Sequence, residues 1–337
     1  MSDILMRRSV VLRRRPSGEP APDDFEVIEE VVPALAAGEV LVRTIYLSID
    51  PYMRGRLSDR KSYAAPVQID APMTGESIGE VVASESPAFK PGDIALGARL
   101  WQSHCVVPAA QLTPIARGAA PLSAYLGVLG MPGTTAYSGM KDIGQPKPGE
   151  TVVISAASGA VGSVAGQLAK RAGARVVGVA GGPDKCLWVQ EALGFDACVD
   201  HRVAHFSRAL ADTCPAGIDV YFENVGGAVQ QAAFAQLNTF GRMVMCGMVA
   251  QYNDTELQPG PNLMSVVGKR LRIEGLIVSD KPERFAEWRA LAAPWVQEGS
   301  LRWRETVIEG LESAPEALRM VLRGANFGKM VVRVGPE

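Results

Sequence analysis

Residues 151–170 read Thr-Val-Val-Ile-Ser-Ala-Ala-Ser-Gly-Ala-Val-Gly-Ser-Val-Ala-Gly-Gln-Leu-Ala-Lys, and the organisation of the chain follows from them. Thr151 to Ser155 is a short β-branched run, and beyond it Val161, Val164, Ala165 and Leu168 recur at helical spacing on one face. The stretch predicts strand, tight turn, helix. Its turn holds Ala156, Gly159, Ala160, Val161 and Gly162, a small-residue form of the glycine fingerprint that lets a backbone bend sharply and meet a pyrophosphate at a helix start. Orphan amides and the positive end of the helix dipole hold such an anion without any side chain. Turns of this kind also occur in α/β proteins that bind nothing, so the surrounding sequence has to decide.

Arg175 to Ala180 is a second apolar run, which completes a βαβ unit of the right length. Enzymes that take the non-phosphorylated dinucleotide carry an acidic residue roughly 20 residues after the glycines, on the ribose hydroxyls. Here that place falls on Gly181 and Gly182, with Lys185 just beyond. An absent carboxylate removes repulsion against a ribose phosphate, and an ammonium supplies a partner for it. The reading is NADP(H), with Gly182 and Lys185 at the phosphate; the plainer alternative for Lys185 is a solvated lysine in a first helical turn.

At 337 residues the chain exceeds what one hydrophobic core usually serves, so two domains are expected. Lys plus Arg number 34 against 36 for Asp plus Glu, a net charge of −2 that argues against nucleic acid or an anionic membrane as the main partner. Arg7, Arg8, Arg13, Arg14 and Arg15 form a local basic cluster, read as the solvated edge of an N-terminal strand because Val10, Val11 and Leu12 interrupt it. Cys105, Cys186, Cys198, Cys214 and Cys246 show no C-x-x-C pair, which fits reduced thiols. With no signal-peptide pattern at the N-terminus, the expectation is a cytoplasmic protein. Val152 to Ala169 is uncharged, but its Ala, Gly and Ser suit a tight turn better than a membrane span.

Taken in order, residues 1–126 read as β-rich. Val10–Arg15, Phe25–Val32, Val40–Leu47, Gly79–Ala83 and Asp93–Gly97 are strand-like runs punctuated by Pro and Gly, a pattern that predicts a small, partly closed barrel. Residues 127–302 alternate strands (Thr151–Ser155, Arg175–Ala180, Val199–Asp200, Ile218–Glu223, Arg242–Met248) with helical stretches, as in a doubly wound parallel sheet with helices on both faces. Residues 303–337 return to strand, helix and strand. Leu271–Ser279 reads as an apolar edge strand that pairs with its twin across a two-fold axis.

Three segments bear on chemistry: Leu47–Gly55, Pro72–Glu80, and Cys246-Gly247-Met248-Val249-Ala250-Gln251-Tyr252-Asn253, which leaves the carboxyl end of a sheet strand, where ligands of open α/β sheets sit. Together with Asp50-Pro51-Tyr52-Met53-Arg54, Met131-Pro132-Gly133, the 156–163 turn, Glu223-Asn224-Val225-Gly226-Gly227 and Gly324-Ala325-Asn326-Phe327-Gly328-Lys329, their order resembles the zinc-independent medium-chain dehydrogenase/reductase superfamily. Within it the chain is similar to prostaglandin reductases, plant alkenal double-bond reductases and bacterial curcumin-reductase-like NADPH oxidoreductases. The resemblance covers nearly the whole chain and implies a Rossmann-type domain with a GroES-like barrel, NADP(H), and a homodimer.

Zinc-dependent members of the superfamily carry a metal-binding Cys at the end of the barrel strand and a later Gly-His-Glu; this chain has Asp50 and Gly75-Glu76-Ser77 there, which leaves too few ligands for a catalytic zinc. The implied reaction is reduction of a carbon–carbon double bond conjugated to a carbonyl. Hydride reaches the β carbon, charge collects on the carbonyl oxygen as an enolate, and a hydrogen-bond donor lowers the barrier. Tyr252 is the candidate donor, against the alternative that its hydroxyl only satisfies backbone. Tyr52 and Tyr63 are candidates for an apolar substrate, and Arg54 and Arg56 for an acidic tail or for salt bridges such as one to Asp50. By resemblance, Lys185 holds the ribose phosphate, Asn224 and Asn326 lie near the nicotinamide ribose or phosphates, and Met131, Gly133 and Thr135 lie near the ring. Cys246, Gly247 and Met248 join the cofactor set. Relatives with a tyrosine on the adenine side differ from this chain, where Asp200-His201-Arg202 leaves His201 and Arg202 as alternative contacts. The functions left open are a double-bond reductase, a quinone or carbonyl reductase on the same scaffold, and a non-catalytic NADPH sensor.

Overall fold

A computed structural model describes residues 4–256 and 258–337. The chain divides into two compact units, Met1–Leu126 with Glu305–Glu337, and Gly127–Arg304.

In the first unit β1 (Met6–Leu12) and β2 (Phe25–Val31) form an antiparallel pair. They are followed by β3 (Glu39–Ile49), the short helix α1 (Met53–Arg56), β4 (Thr74–Ser84), β5 (Ile94–Leu100), β6 (His104–Pro108) and β7 (Thr113–Ile115). β1 stops at Leu12 and does not run on to Arg15: the amides of Arg13 and Arg14 turn to the Asp24 carbonyl. The basic cluster is spent locally, Arg7 on Glu30, Arg13 on Glu26 and Asp70, Arg14 on Asp24, and Arg15 on the carbonyls of Leu57 and Val67.

In the second unit come α2 (Met131–Ser138), β8 (Thr151–Ser155), α3 (Gly162–Arg171), β9 (Arg175–Ala180), α4 (Pro183–Glu191), β10 (Ala197–Asp200) and α5 (Phe206–Thr213). β11 (Ile218–Glu223), α6 (Gly227–Ala235), β12 (Leu237–Met245), α7 (Met264–Lys269), β13 (Arg272–Gly275) and α8 (Glu283–Gln297) complete it. Its six strands are all parallel in the order β10-β9-β8-β11-β12-β13, so the winding reverses between β8 and β11. A ligand crevice belongs at the carboxyl edge of that switch point. Val153, Val177, Val179, Tyr221 and Met243 pack one face of the sheet against Phe206, Leu210, Val229 and Phe234 from α5 and α6. The edge strand is shorter than the predicted Leu271–Ser279, because its partner β12 ends at Met245, opposite Gly275. β12 in turn ends before Met248, since the amides of Cys246 and Gly247 leave the ladder for the Glu223 carbonyl.

The tail, β14 (Glu305–Glu309), α9 (Ala314–Leu322) and β15 (Lys329–Arg333), rejoins the first unit. The seven-stranded sheet there runs β14-β15-β3-β4-β5-β7, with β6 also on β3. One edge of β3 is shared: Glu39–Arg43 pairs with β6, and Tyr46–Ile49 with β15. No helix of the described residues is long and apolar enough to cross a membrane.

Candidate active site

The turn from β8 into α3 folds back on itself. Ala156 adopts a left-handed φ of 48°, and its carbonyl lies so close to Gly162 that a Cβ there would approach it to 2.3 Å. Only glycine fits, and α3 starts there with no side-chain cap, its first-turn amides and dipole set for an anion. Gly159, Ala160 and Val161 form the rest of the turn, tied by the Gly159 amide to the Ala156 carbonyl at 2.8 Å.

Parallel pairing of β9 and β10 puts Asp200 beside Ala180, so the residues after each strand meet. The Asp200 carboxylate accepts the amides of Gly182 at 2.9 Å and Arg202 at 3.0 Å. Both His201 and Arg202 then lie across the diglycine: a Cβ on Gly181 would be 2.9 Å from His201 Nε2 and 3.1 Å from Arg202 Nη2, and one on Gly182 would be 3.3 Å from Arg202 Nη1. Burial and then the Arg202 charge hold the Lys185 pKa below its ordinary value, and partial burial with Arg202 does the same to His201. Lys185 and Arg202 gain from a shared anion, with His201 as a further hydrogen-bonding partner, and a phosphate dianion suits them.

At the switch point, β8 and β11 bring Ser155 and Glu223 side by side on one face. Glu223 is fully buried, and its Oε1 accepts Ser155 Oγ at 3.0 Å and the amides of Val225 at 2.6 Å and Gly226 at 3.1 Å. The Asn224 amide donates to Ser155 Oγ at 2.7 Å and its Nδ2 to the Ser155 carbonyl at 2.8 Å. Segment 246–250 hangs from this loop: Cys246 and Gly247 donate to the Glu223 carbonyl, Val249 to Asn224 and Ala250 to Val225. Burial, with the Glu223 charge, pushes the Cys246 thiol up to about 12, so it is uncharged at neutral pH. Tyr252 closes the segment, its hydroxyl accepting the Met248 amide at 3.3 Å. A cavity of about 880 Å³, lined among others by His201, Phe206, Val225, Gly226, Val229 and Ala250, spans from the basic loop to the Tyr252 segment.

The remaining candidates fall in different surroundings. Met131 opens α2, where its carbonyl accepts the Thr135 hydroxyl at 2.8 Å. Gly133 is a packing position: a Cβ would lie 2.0 Å from the Val128 carbonyl oxygen, which Trp288 Nε1 also approaches at 2.7 Å. In the first unit the Arg56 guanidinium sits over both Tyr52 and Tyr63, 5.5 and 4.7 Å from the ring centroids. Arg54 is buried and donates to the Gly18 carbonyl at 2.8 Å, so it holds a loop. Asn326 Nδ2 donates to the Gly328 carbonyl at 2.7 Å, closing the turn before β15. Ser155, Glu223 and Asp200 had no assigned role in the sequence reading; the signals for Glu223 were its place at the end of the strand run Ile218–Phe222 and at the head of the motif Glu223–Gly227.

Residues 8–115 match the family described as "N-terminal domain of oxidoreductase", and residues 160–298 that described as "Zinc-binding dehydrogenase". The chain belongs to the zinc-independent branch of the medium-chain dehydrogenase/reductase superfamily. Among its relatives, the NADPH-dependent curcumin reductase of Escherichia coli (strain K12) is 46% identical over 98% of this chain and 97% of that protein. The NADP(+)-dependent 2-alkenal reductase of Nicotiana tabacum is 38% identical over the full length of both. The crystal structure of CurA in complex with NADPH from Vibrio vulnificus superimposes with a TM-score of 0.93 at 45% identity, covering 98% of this chain and 100% of that one.

Proposed function

We propose that the chain uses NADPH to reduce the carbon–carbon double bond of α,β-unsaturated ketones or aldehydes. The observation that carries this is the Tyr252 phenol, fixed beside Gly247 at the same sheet edge as the pyrophosphate turn and the basic diglycine loop. The residues fit the dinucleotide: the turn at Ala156–Gly162 suits a pyrophosphate, Lys185, His201 and Arg202 a ribose phosphate, and the cavity that His201 lines an adenosine. The names of the curcumin and alkenal reductases support the same reading.

Bound NADPH supplies the hydride. Asn224, fixed by Ser155, and residues 246–248 would hold its nicotinamide end, together with Met131 and Thr135. Tyr252 donates its hydroxyl proton in a hydrogen bond to the substrate carbonyl oxygen, where enolate charge collects. The α carbon takes its proton from water or from that phenol. Tyr52 and Tyr63 of the first unit are proposed to meet an apolar substrate; Arg54, committed to Gly18, is not part of the proposal. β13 ends its sheet with all four residues exposed, which supports a homodimer built on that edge. A reducing, cytoplasmic setting belongs to the same reading, from the cysteine spacing.

The test follows NADPH consumption with a simple enone, a quinone and a saturated aldehyde. Turnover of the enone alone supports the proposal; quinone or aldehyde turnover alone, or NADPH binding without any turnover, replaces it with the other functions. Tyr252→Phe should lower kcat by about 10²-fold or more, the cost of losing one oxyanion donor, with NADPH affinity unchanged.

A further inference from the structure

Glu223 is a fully buried acid at the carboxyl end of β11, and the reaction above makes no use of it. Its two oxygens differ sharply. Oε1 gathers Ser155 Oγ and the amides of Val225 and Gly226, whereas Oε2 is buried with no hydrogen-bond partner among the described residues. An acid is an unlikely core residue unless its contacts are worth the loss of hydration. Here three donors converge on one atom, and what they hold is the loop bearing Asn224.

From that loop the connections run on through backbone. The Glu223, Asn224 and Val225 carbonyls take the amides of Cys246, Gly247, Val249 and Ala250, and Met248 in turn donates to the Tyr252 hydroxyl. Hydrogen bonds and the backbone between them therefore join the carboxylate to the phenol. The carboxylate also turns the Val225 and Gly226 amides inward. Successive amides left facing outward make an anion-binding concavity, and capture by Glu223 takes this pair out of that role.

We propose that Glu223 is the positioning residue of the site: through Oε1 it sets the 224–226 loop for the dinucleotide and, by way of segment 246–250, the place of the Tyr252 hydroxyl. What the site needs from it is a hydrogen-bond acceptor, and a neutral carbonyl serves as well as a carboxylate. This deepens the NADPH reading and rests on it.

The test compares Glu223→Ala and Glu223→Gln by NADPH dissociation constant, from fluorescence titration of the purified full chain, and by kcat with an enone, both well below the melting temperatures. Glu223→Ala should weaken NADPH about tenfold and lower kcat about tenfold, the scale of buried donors left without an acceptor. Glu223→Gln should stay within about twofold of wild type on both, because its side-chain carbonyl accepts the same donors. That rescue separates positioning from a requirement for charge. Glu223→Gln as defective as Glu223→Ala, or Glu223→Ala equal to wild type, overturns the proposal. Should Glu223→Ala not fold, Ser155→Ala decides: a rise in the NADPH dissociation constant of about threefold or more supports the proposal, and no change overturns it. NADPH titration needs no enone, so a wild-type chain that reduces none would sink the double-bond reading and leave this comparison in force.

Discussion

Replacing Gly247 by alanine moves the Tyr252 phenol without altering its chemistry. A Cβ at Gly247 would stand 2.9 Å from the Tyr252 hydroxyl and 3.6 Å from the Asn224 carbonyl oxygen. The glycine's own φ lies outside the left-handed region, so alanine is tolerated by the backbone. The phenol is the far end of a side chain and gives way first. To restore an ordinary carbon-to-oxygen contact it has to retreat by about 0.5 Å. Misplacing a reacting group by 1 Å can cost about 10²-fold, so half that distance predicts a kcat about tenfold lower. Neither the α3 turn nor the basic loop is touched, and direct NADPH titration separates any effect through residues 246–248 on the nicotinamide end from the loss in kcat. Single-turnover measurements with an enone isolate the chemical step from product release, which often limits steady-state rates. The decisive control is the double variant. With Tyr252→Phe in place there is no hydroxyl to displace, so Gly247→Ala should then cost almost nothing. An equal loss on both backgrounds, or none on either, would refute the placement of the donor.

Two further outcomes follow from the electrostatics. Arg202→Ala should weaken NADPH about 10- to 100-fold and leave NADH nearly unchanged, the worth of a charge-assisted bond to phosphate; equal losses for both nucleotides in direct titration would remove Arg202 from the phosphate site. Burial holds the Glu223 carboxyl above its ordinary pKa, against the pull of the Val225 and Gly226 amides, Ser155 and Tyr221. A raised acid contributes stability that is complete below its unfolded pKa and is lost as pH rises through the folded one. Glu223→Gln does not titrate, so its melting temperature relative to wild type should climb from about pH 4 towards about pH 8, and a constant offset across that range contradicts the assignment.

The sequence was most legible where the structure is local. β8, the 156–162 turn and β9 could be read because a β-branched run, a small-residue turn and a helical period lie within thirty or so consecutive residues. The basic diglycine loop was half legible. Lys185 follows the glycines directly, but the joint approach of His201 and Arg202 depends on the register of Asp200 against Ala180, which no local pattern states. Glu223 and Ser155 escaped for the same reason, being 68 residues apart and joined only by the β8–β11 ladder. Arg54 was read with two alternatives, an acidic substrate tail or the holding of a loop, and its bond to the Gly18 carbonyl, 36 residues away, supports the second in a way no local pattern states.

The first unit bears on the proposal that the electrophile is a phenol. Asp50, at the place where zinc-dependent members of the superfamily carry a cysteine ligand, lies 3.1 Å from Lys329 Nζ, which also donates to the carbonyls of Ile49 at 2.6 Å and Met330 at 2.8 Å. All three ammonium protons are engaged, and the other Asp50 oxygen takes the Ser48 hydroxyl. Burial lowers the Lys329 pKa and Asp50 opposes it. Removing one partner of such a buried pair costs about 3–5 kcal/mol, which makes it a fixed part of the fold instead of a ligand waiting for a cation. Among the described residues, no three His, Cys, Asp or Glu side chains gather as a metal cage. A hydrogen bond polarises a carbonyl less than a bound cation does. It suffices where hydride adds at a distance and the oxygen only receives delocalised enolate charge. Direct hydride addition to an isolated carbonyl concentrates that charge as an alkoxide and asks for more. Saturated aldehydes should therefore be turned over far more slowly than enones of the same carbon skeleton, and comparable rates for the two would show that Tyr252 is not the limiting electrophile.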